Sequence, residues 1–320
     1  MVCVVAQVPE RLLDALGVQG WILQLIVVVV AVTGVRAMVR AAFTPTASRT
    51  RARSRAWVGS GLISLAGGVV LTLPIYALLR ATPMWWLYAW AVFAVITVVG
   101  LLAQPLILRA QSGPLERGDA ELEGRVRDIG ARAGLDLGGV FVAGGEKCNA
   151  YVAGLGATRR VVLEKPLTEW PPELVDQVVA HELGHWKLGH AGRRLPLTLV
   201  GQLVTFALAG WVLSWPWLLG VAGVSSAGDP ASYPLLLVVT PVLMAPARLV
   251  IAWYDRAQER AADRFALTLL ADPVHFAAML DKAADEGGAP RRLPWWRRVV
   301  ASHPPIEERA LVCTPSVSTI

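Results

Sequence analysis

Two histidines and a glutamate near the middle of the chain have the residue types and spacing of a metal-dependent hydrolase. His181-Glu182-Leu183-Gly184-His185 has the pattern HExxH. Positions four apart share one face of a helix, so His181 and His185 can direct two imidazoles at one metal ion. Glu182 lies beside them, where its carboxylate can take a proton from a water that the metal activates. We therefore expect a zinc site here, with Glu182 as the catalytic base.

The segment around this motif is predicted to be helical. Pro171-Pro172 suits a first helical turn and Gly189 suits a helix end. Apolar residues at helical spacing lead into the motif and give the helix a buried face. The helix is therefore expected from about residue 172 to residue 188. His190 would be a helix-end residue, favoured there by the helix dipole.

A catalytic zinc usually has three protein ligands, so one more is needed. A third histidine ten residues after the first is excluded, because Ala191 occupies that position and His190 is one residue out of register. The alternative is a carboxylate from a later helix, and Glu259 is the best candidate. Asp263 shares its helix face, where it can accept the second N–H of a zinc-binding histidine. We expect one Zn²⁺ per chain.

The rest of the chain has the composition of a membrane protein. Of its 320 residues, 55% are hydrophobic and 17% are charged, whereas soluble domains have about 25% charged residues. Tryptophans lie at the ends of apolar runs, as in an interfacial aromatic belt. Five segments reach the roughly 20 residues needed to span a bilayer. They are residues 21–39, 57–79, 85–108, 195–221 and 233–253.

The predicted fold class follows from these segments. We expect a mainly α, multi-span helical integral membrane protein with a small β-sheet beside the zinc-binding helix, a gluzincin-like site. Residues 1–110 would form an N-terminal membrane region with three spans, and residues 111–320 a zinc metallopeptidase domain with the other two. Short strands are predicted at 140–142, 149–154 and 160–164. Such a sheet can offer a free edge to an extended peptide, although a purely structural hairpin fits the pattern equally well.

Arginines predict the orientation of the chain. Six arginines lie between Arg36 and Arg55 in the first predicted loop, whereas the loop at 223–232 has no Lys or Arg. By the positive-inside rule the first loop is cytoplasmic, which places HExxH and Glu259 on the cytoplasmic side. The same arginines, attracted to anionic lipid, account for the net charge of +6. Membrane lipids are therefore expected partners, and nucleic acid is not.

Four sequence blocks follow one another within residues 140–310. The first is Asn149-Ala150-Tyr151 with Gly154 and Arg160-Val161-Val162-Leu163, and the second is HELGHWKLGH from His181. The third is ERAADRFA from Glu259, and the fourth is Ser302-His303-Pro304-Pro305 with Glu308-Arg309. Together, and in this order, the four blocks resemble those of the type I CAAX prenyl endopeptidase family of integral-membrane zinc metallopeptidases.

The resemblance implies roles for individual residues. It implies His181, His185 and Glu259 as zinc ligands and Glu182 as general base. It also implies His303 near the substrate, where an imidazole can donate a hydrogen bond to the developing oxyanion; a turn residue before Pro304 is the competing interpretation. Substrate binding would involve Asn149, Tyr151 and Arg309. Arg309 can instead pair with Asp263, and Asn149 can be a turn residue.

The expected function is that of a zinc-dependent membrane endopeptidase. Its substrate would be a hydrophobic or membrane-associated peptide or protein, prenylated CAAX-type peptides included. The family's eukaryotic members have seven spans, whereas five are counted here. The alternative is therefore a membrane-protein quality-control zinc protease. The arginine-, alanine- and tryptophan-rich composition indicates a bacterial cell membrane, and the oligomeric state is left open.

Two other classes are less favoured. A receptor or scaffold with a structural zinc would need a fourth protein ligand and would give Glu182 no role. A sensor protease would need a soluble domain outside the membrane, and the outside loops are too short for one. Residues 281–301 combine glycines with arginines and tryptophans, which fits either an amphipathic patch at the membrane surface or a mobile lid.

Overall fold

Three helices in the computed structural model are long and apolar enough to cross a membrane. They are Trp85–Gln104, His190–Val212 and Val238–Leu270. The structure describes residues 74–111, 115–145, 148–154, 159–229, 232–286 and 288–311. The count of three helices refers to these residues. The predicted span at 21–39 and most of the one at 57–79 lie outside the described residues.

The described part of the chain is mainly helical, with one small sheet. Residues 74–81 are helical. The elements that follow are α1 (Trp85–Gln111), β1 (Leu115–Arg117), α2 (Ala120–Arg132), β2 (Gly139–Ala143), β3 (Ala150–Ala153), β4 (Arg160–Glu164), α3 (Lys165–Thr168), α4 (Pro172–Lys187), α5 (His190–Val212), α6 (Pro216–Val221), α7 (Ser232–Leu270), α8 (Pro273–Asp285), α9 (Trp295–Val300) and α10 (Ile306–Ala310).

Two predicted spans are found with different bounds. The predicted span at 195–221 is two helices, because α5 ends at Val212 and α6 begins at Pro216, whose ring nitrogen has no N–H to continue a helical ladder. The predicted span at 233–253 is the first part of α7, which continues to Leu270. The apolar run ends near Trp253, but the helix does not, because a charged segment can remain helical in water.

The sheet has the strand order β1-β2-β4-β3. β2 and β4 are parallel, whereas β1 and β3 are antiparallel to their neighbours. The strands predicted at 140–142, 149–154 and 160–164 are present, and β3 is an edge strand. β1 was not predicted, because its three residues, Leu-Glu-Arg, are too few and too polar to give a strand pattern.

The helix α4 packs against the sheet, α2 and α8. Val175, Val179 and Leu183 are fully buried and lie on one face of α4, since they are four residues apart. They share a core with Leu163 of β4 and Phe276 of α8. Burying each such side chain contributes about 1.5–3 kcal/mol, so the position of α4 on the sheet is fixed by packing.

The described residues fall into two units. One comprises 74–93 with 202–244, where Tyr76, Trp85 and Leu213 are buried together. The Tyr76 hydroxyl donates to the Gly228 carbonyl at 2.9 Å. The other unit comprises 94–201 with 245–311 and contains every residue proposed above for the site. The division into domains 1–110 and 111–320 stays a prediction.

Candidate active site

The helix α4 holds the two motif histidines in register. It runs from Pro172 to Lys187, within one residue of the predicted bounds. Gly189, with φ of +65°, ends it in the left-handed conformation that favours glycine. His181 Nε2 and His185 Nε2 lie 3.1 Å apart, so the two imidazoles converge on one point.

Glu259 on α7 completes a group of three potential metal ligands. Its Oε1 lies 3.3 Å from His185 Nε2 and its Oε2 lies 3.7 Å from His181 Nε2. Glu259 is 6% exposed. The three residues form a candidate metal site in the part of the chain that the structure describes.

The distances within this group fit a zinc ion. A tetrahedral zinc with nitrogen and oxygen ligands at about 2.0–2.1 Å holds its donor atoms about 3.3 Å apart. Here the two histidine nitrogens are 3.1 Å apart, Glu259 Oε1 is 3.3 Å from His185 Nε2, and Glu259 Oε2 is 3.7 Å from His181 Nε2. Glu259 Oε2 is buried and accepts no well-oriented hydrogen bond, although His303 Nδ1 lies 3.0 Å away. A cation between the three side chains would satisfy this oxygen.

The close approach of α4 to α7 brings the three ligands together. A Cβ atom added at Gly184 would lie 3.3 Å from both the Cα and the carbonyl oxygen of Ala262, and 3.0 Å from Cδ1 of Phe265. The two helices therefore touch through a glycine and an alanine. Larger residues at this contact would move Glu259 away from the histidines.

Asp263 lies behind His181, as its spacing from Glu259 predicts. Its Oδ1 is 2.9 Å from His181 Nδ1, and Asp263 is fully buried. The Nδ1–H of His181 can therefore donate to Asp263, which leaves the Nε2 lone pair for a metal. Arg309 binds the same carboxylate with two hydrogen bonds, Nη2 to Oδ1 at 2.6 Å and Nε to Oδ2 at 2.9 Å. Of the two roles expected for Arg309, substrate binding and pairing with Asp263, the structure shows the pairing with Asp263.

His190 has a different position from the one predicted. It is the first residue of α5, not a residue at the end of α4, and it is buried. Its Nδ1 lies 2.8 Å from His185 Nδ1. Gln258 fixes the start of α5 by donating from Nε2 to the His190 carbonyl at 3.1 Å. The only signal in the sequence was the short spacing between two histidines, which does not by itself indicate a contact.

His303 reaches the candidate ligands from a separate segment of the chain. Its Nδ1 lies 3.0 Å from Glu259 Oε2. The side chain is exposed, whereas Pro304 and Pro305 are buried and anchor the segment. The adjacent Glu259 carboxylate raises the pKa of His303 above its usual value. The position of His303 is therefore fixed by the buried prolines, while its imidazole ring remains accessible to solvent.

Glu182 is placed beside the histidines but apart from their hydrogen bonds. Its carboxylate makes no hydrogen bond or ion pair with any residue that the structure describes, and it is partly exposed. Burial raises the pKa of the Glu182 carboxyl, and the neighbouring His181 and His185 oppose that rise. A carboxylate without a protein partner is available to a water molecule.

Tyr151 belongs to β3, and Asn149 directly precedes that strand. Tyr151 pairs with Val162 across β3 and β4. Asn149 is exposed, and its backbone carbonyl accepts from the Glu164 N–H at 2.9 Å. β3 contacts α4, so the candidate ligands adjoin a strand edge that pairs with no other strand in the described part of the chain.

Comparisons with known proteins agree with this geometry. The chain matches Peptidase family M48 over residues 116–312. A CAAX prenyl protease 1 homolog of Caenorhabditis elegans is 26% identical over 287 residues, which cover 76% of this chain and 64% of the relative. A Protease HtpX homolog of Herminiimonas arsenicoxydans is 30% identical over 206 residues, which cover 58% of this chain and 68% of the relative. This chain therefore spans less than two thirds of the length of the C. elegans protein.

A solved structure has the same fold. The crystal structure of S. mikatae Ste24p matches with a TM-score of 0.67 at 18% identity, and the match covers 82% of this chain and 67% of that one. The described part of the chain combines helices long enough to span a membrane with a His-His-Glu group that could hold a metal ion. The chain belongs to Peptidase family M48 and is similar to CAAX prenyl proteases.

Proposed function

We propose that this chain is a membrane metalloendopeptidase that uses zinc and hydrolyses hydrophobic or membrane-associated peptides, prenylated CAAX-type peptides included, on the cytoplasmic side. The observation that carries the proposal is the group formed by His181, His185 and Glu259. The two histidine nitrogens are 3.1 Å apart, and each lies within 3.7 Å of a Glu259 carboxylate oxygen. That spacing suits zinc, and Asp263 supports one of the histidines at 2.9 Å. The family resemblance assigns the same three residues as ligands.

Each polar residue of the site has a distinct task in this proposal. When bound, zinc supplies a Lewis acid that polarises a peptide carbonyl and lowers the pKa of water. Glu182 takes a proton from the attacking water and then passes it to the leaving amine, since its carboxylate has no other partner. His303 donates a hydrogen bond to the carbonyl oxygen as negative charge develops there. Arg309 and Asp263 hold His181 in place.

The edge strand β3 supplies a place for the substrate backbone. In an antiparallel ladder, hydrogen-bonded pairs alternate with non-hydrogen-bonded pairs. Because Glu164 bonds to Asn149, the N–H and C=O groups of Ala150 and Val152 point away from β4. An extended peptide can bond to them in the manner of an added strand. Asn149 precedes Ala150, Tyr151 lies between Ala150 and Val152, and both would contact the substrate.

Two observations support a cytoplasmic site. The arginine-rich segment between Arg36 and Arg55 favours the cytoplasmic side by the positive-inside rule. Arg194, near the start of α5, binds Asp255 of α7 at 2.7 Å. The start of one membrane-length helix and the charged continuation of another therefore lie together, beside the candidate ligands.

The experiment is a cleavage assay with two quenched fluorescent peptides of identical sequence, one farnesylated at a CAAX end and one without lipid. Detergent-purified protein with one zinc per chain is compared with Glu182→Gln. We expect Glu182→Gln to keep zinc but lose activity by about 10²–10⁴-fold. Glu173→Gln, the same change at an exposed position of α4, should be fully active. Full activity of Glu182→Gln would contradict the mechanism.

The same assay distinguishes the alternative function. Preference for the farnesylated peptide supports a prenyl-protein substrate. Equal cleavage of both peptides, with digestion of an unfolded membrane protein, supports a quality-control protease. The similarity to the Protease HtpX homolog of Herminiimonas arsenicoxydans supports this alternative function. His185→Ala should lose both zinc and activity, and unchanged zinc content would show that the ligand set is wrong.

A further inference from the structure

The short helix α9 has no buried residue. Trp295, Trp296, Val299 and Val300 all expose large apolar side chains, and Trp295 is 78% exposed. Exposed to water, these side chains forgo the stabilisation of burial. A six-residue helix also gains little from its own hydrogen bonds. Among the described residues, none covers the outer face of α9, so its surface is suited to contact something outside the chain.

The position of α9 relative to α7 is set by Arg256. Its Nη1 donates to the Val299 carbonyl at 3.1 Å and to the Ala301 carbonyl at 2.7 Å. Arg256 is three residues, about 4.5 Å along the helix axis, beyond Trp253, which ends the apolar run of α7. Trp253 is 60% exposed, as expected of a tryptophan at the edge of the bilayer. The hydrogen bonds therefore hold the end of α9 beside the end of the apolar run of α7.

The charges on α9 suit an anionic surface. Arg297 stacks on the ring of Trp296 at 5.0 Å and has no acidic partner within the described ranges. Arg298 pairs with Glu308 at 2.7 Å. The neighbouring Arg292 also pairs with an acidic residue, Glu307. Arg297 is thus the cation on this helix that remains available for a phosphate group.

We propose that α9 is an interfacial helix that inserts Trp295, Trp296, Val299 and Val300 among lipid headgroups and binds anionic phospholipid through Arg297. Tryptophan and arginine are the residues that favour this layer of a bilayer. The proposal rests on membrane insertion of α7 and is independent of the proposed substrate. Of the two uses left open for residues 281–301, it selects the membrane-surface patch over the lid.

The lipid contact has a consequence for the site. Only Ala301 and Ser302 separate Val300 from His303, whose Nδ1 lies 3.0 Å from Glu259 Oε2. An α9 held in the headgroup layer would restrict this segment and keep His303 over the candidate ligands. Activity in anionic membranes should therefore exceed activity in neutral ones.

The test uses two matched single-cysteine variants of the full chain, with the native cysteines replaced by serine. Val300→Cys and Val274→Cys substitute valines that are 60% and 73% exposed. The end of α7 is about 25 Å from Trp253 along the axis of that helix. Position 274 follows this end and serves as the water-exposed control. Each variant is labelled with bimane and placed in nanodiscs containing phosphatidylcholine with increasing phosphatidylglycerol.

Brominated lipid should quench the label at position 300 and iodide should not, whereas the label at 274 should show the reverse. Arg297→Gln should require about fivefold more phosphatidylglycerol for the same quenching. Quenching of position 300 by iodide as strong as at 274 would overturn the proposal, since α9 would then be in water. Quenching that does not change with phosphatidylglycerol would overturn the role of Arg297. None of these quenching measurements depends on peptide cleavage. A negative result would therefore contradict the lipid contact of α9 without contradicting the proposed function.

Discussion

The Nδ1 atoms of His185 and His190 lie 2.8 Å apart, which joins a candidate metal ligand on α4 to the first residue of α5. One of the two nitrogens must carry the proton. If His185 is the donor, its Nε2 keeps a lone pair directed at the metal position, as His181 does through Asp263. His190 would then orient His185 as Asp263 orients His181.

Replacing His190 should therefore weaken metal binding. We expect His190→Ala to lower zinc affinity about 10–100-fold, the usual effect of losing a residue that orients a metal ligand. Competition with a chromophoric chelator measures this directly. His275→Ala, at a half-exposed histidine that pairs with Asp272, is the control and should bind zinc normally. Equal affinities for the two variants would contradict this role for His190.

Removing Arg309 should destabilise the protein. Asp263 is fully buried and accepts two hydrogen bonds from Arg309, so Arg309→Ala leaves a buried carboxylate with His181 as its remaining side-chain partner. Breaking such a pair costs about 3–5 kcal/mol. Thermal unfolding in detergent should show a large decrease in Tm. Arg292→Ala, at an exposed ion pair with Glu307, should change Tm little. A comparable Tm for both variants would show that the buried pair contributes little.

A methyl group at Gly184 should disturb the site, whereas the same change at Gly192 should not. A Cβ at Gly184 would meet Phe265 at 3.0 Å and Ala262 at 3.3 Å, and a Cβ at Gly192 would meet no atom within 4 Å. Such overpacking costs about 1–3 kcal/mol. Gly184→Ala should therefore lower both stability and zinc affinity, measured by thermal unfolding and by chelator competition. Normal zinc affinity in Gly184→Ala would mean that the α4–α7 contact does not set the ligand spacing.

If a substrate binds along β3, every second N–H group of the peptide backbone should form a hydrogen bond to the strand. A cleaved peptide can be resynthesised with one N-methyl group at each successive position. Because the outward groups belong to Ala150 and Val152, alternate peptide N–H groups would bond to the strand. Methylation should raise KM at every second position and have little effect at the positions between. A uniform effect would indicate that the peptide does not bind as an added strand.

The parts of this site that depend on the spacing of residues along one helix were predictable from the sequence. The bounds of α4, the convergence of His181 and His185, and the pairing of Asp263 with His181 depend on helical spacing, which a sequence displays. The contact between His185 and His190 was missed because it depends on the chain reversal at Gly189. The bounds of the last two spans were missed because hydropathy marks the membrane boundary, whereas hydrogen bonding and proline determine where α5 and α7 end.

The bond between Arg309 and Asp263 connects the site to the order in which the chain is made. Arg309 is synthesised about 120 residues after His185, which takes about 6–25 s at 5–20 residues per second. Until then, His181 and the Asp263 carboxylate lack the guanidinium that fixes them. The ion pair behind His181 therefore forms late in synthesis, after the membrane-length helices α5 and α7 have been made.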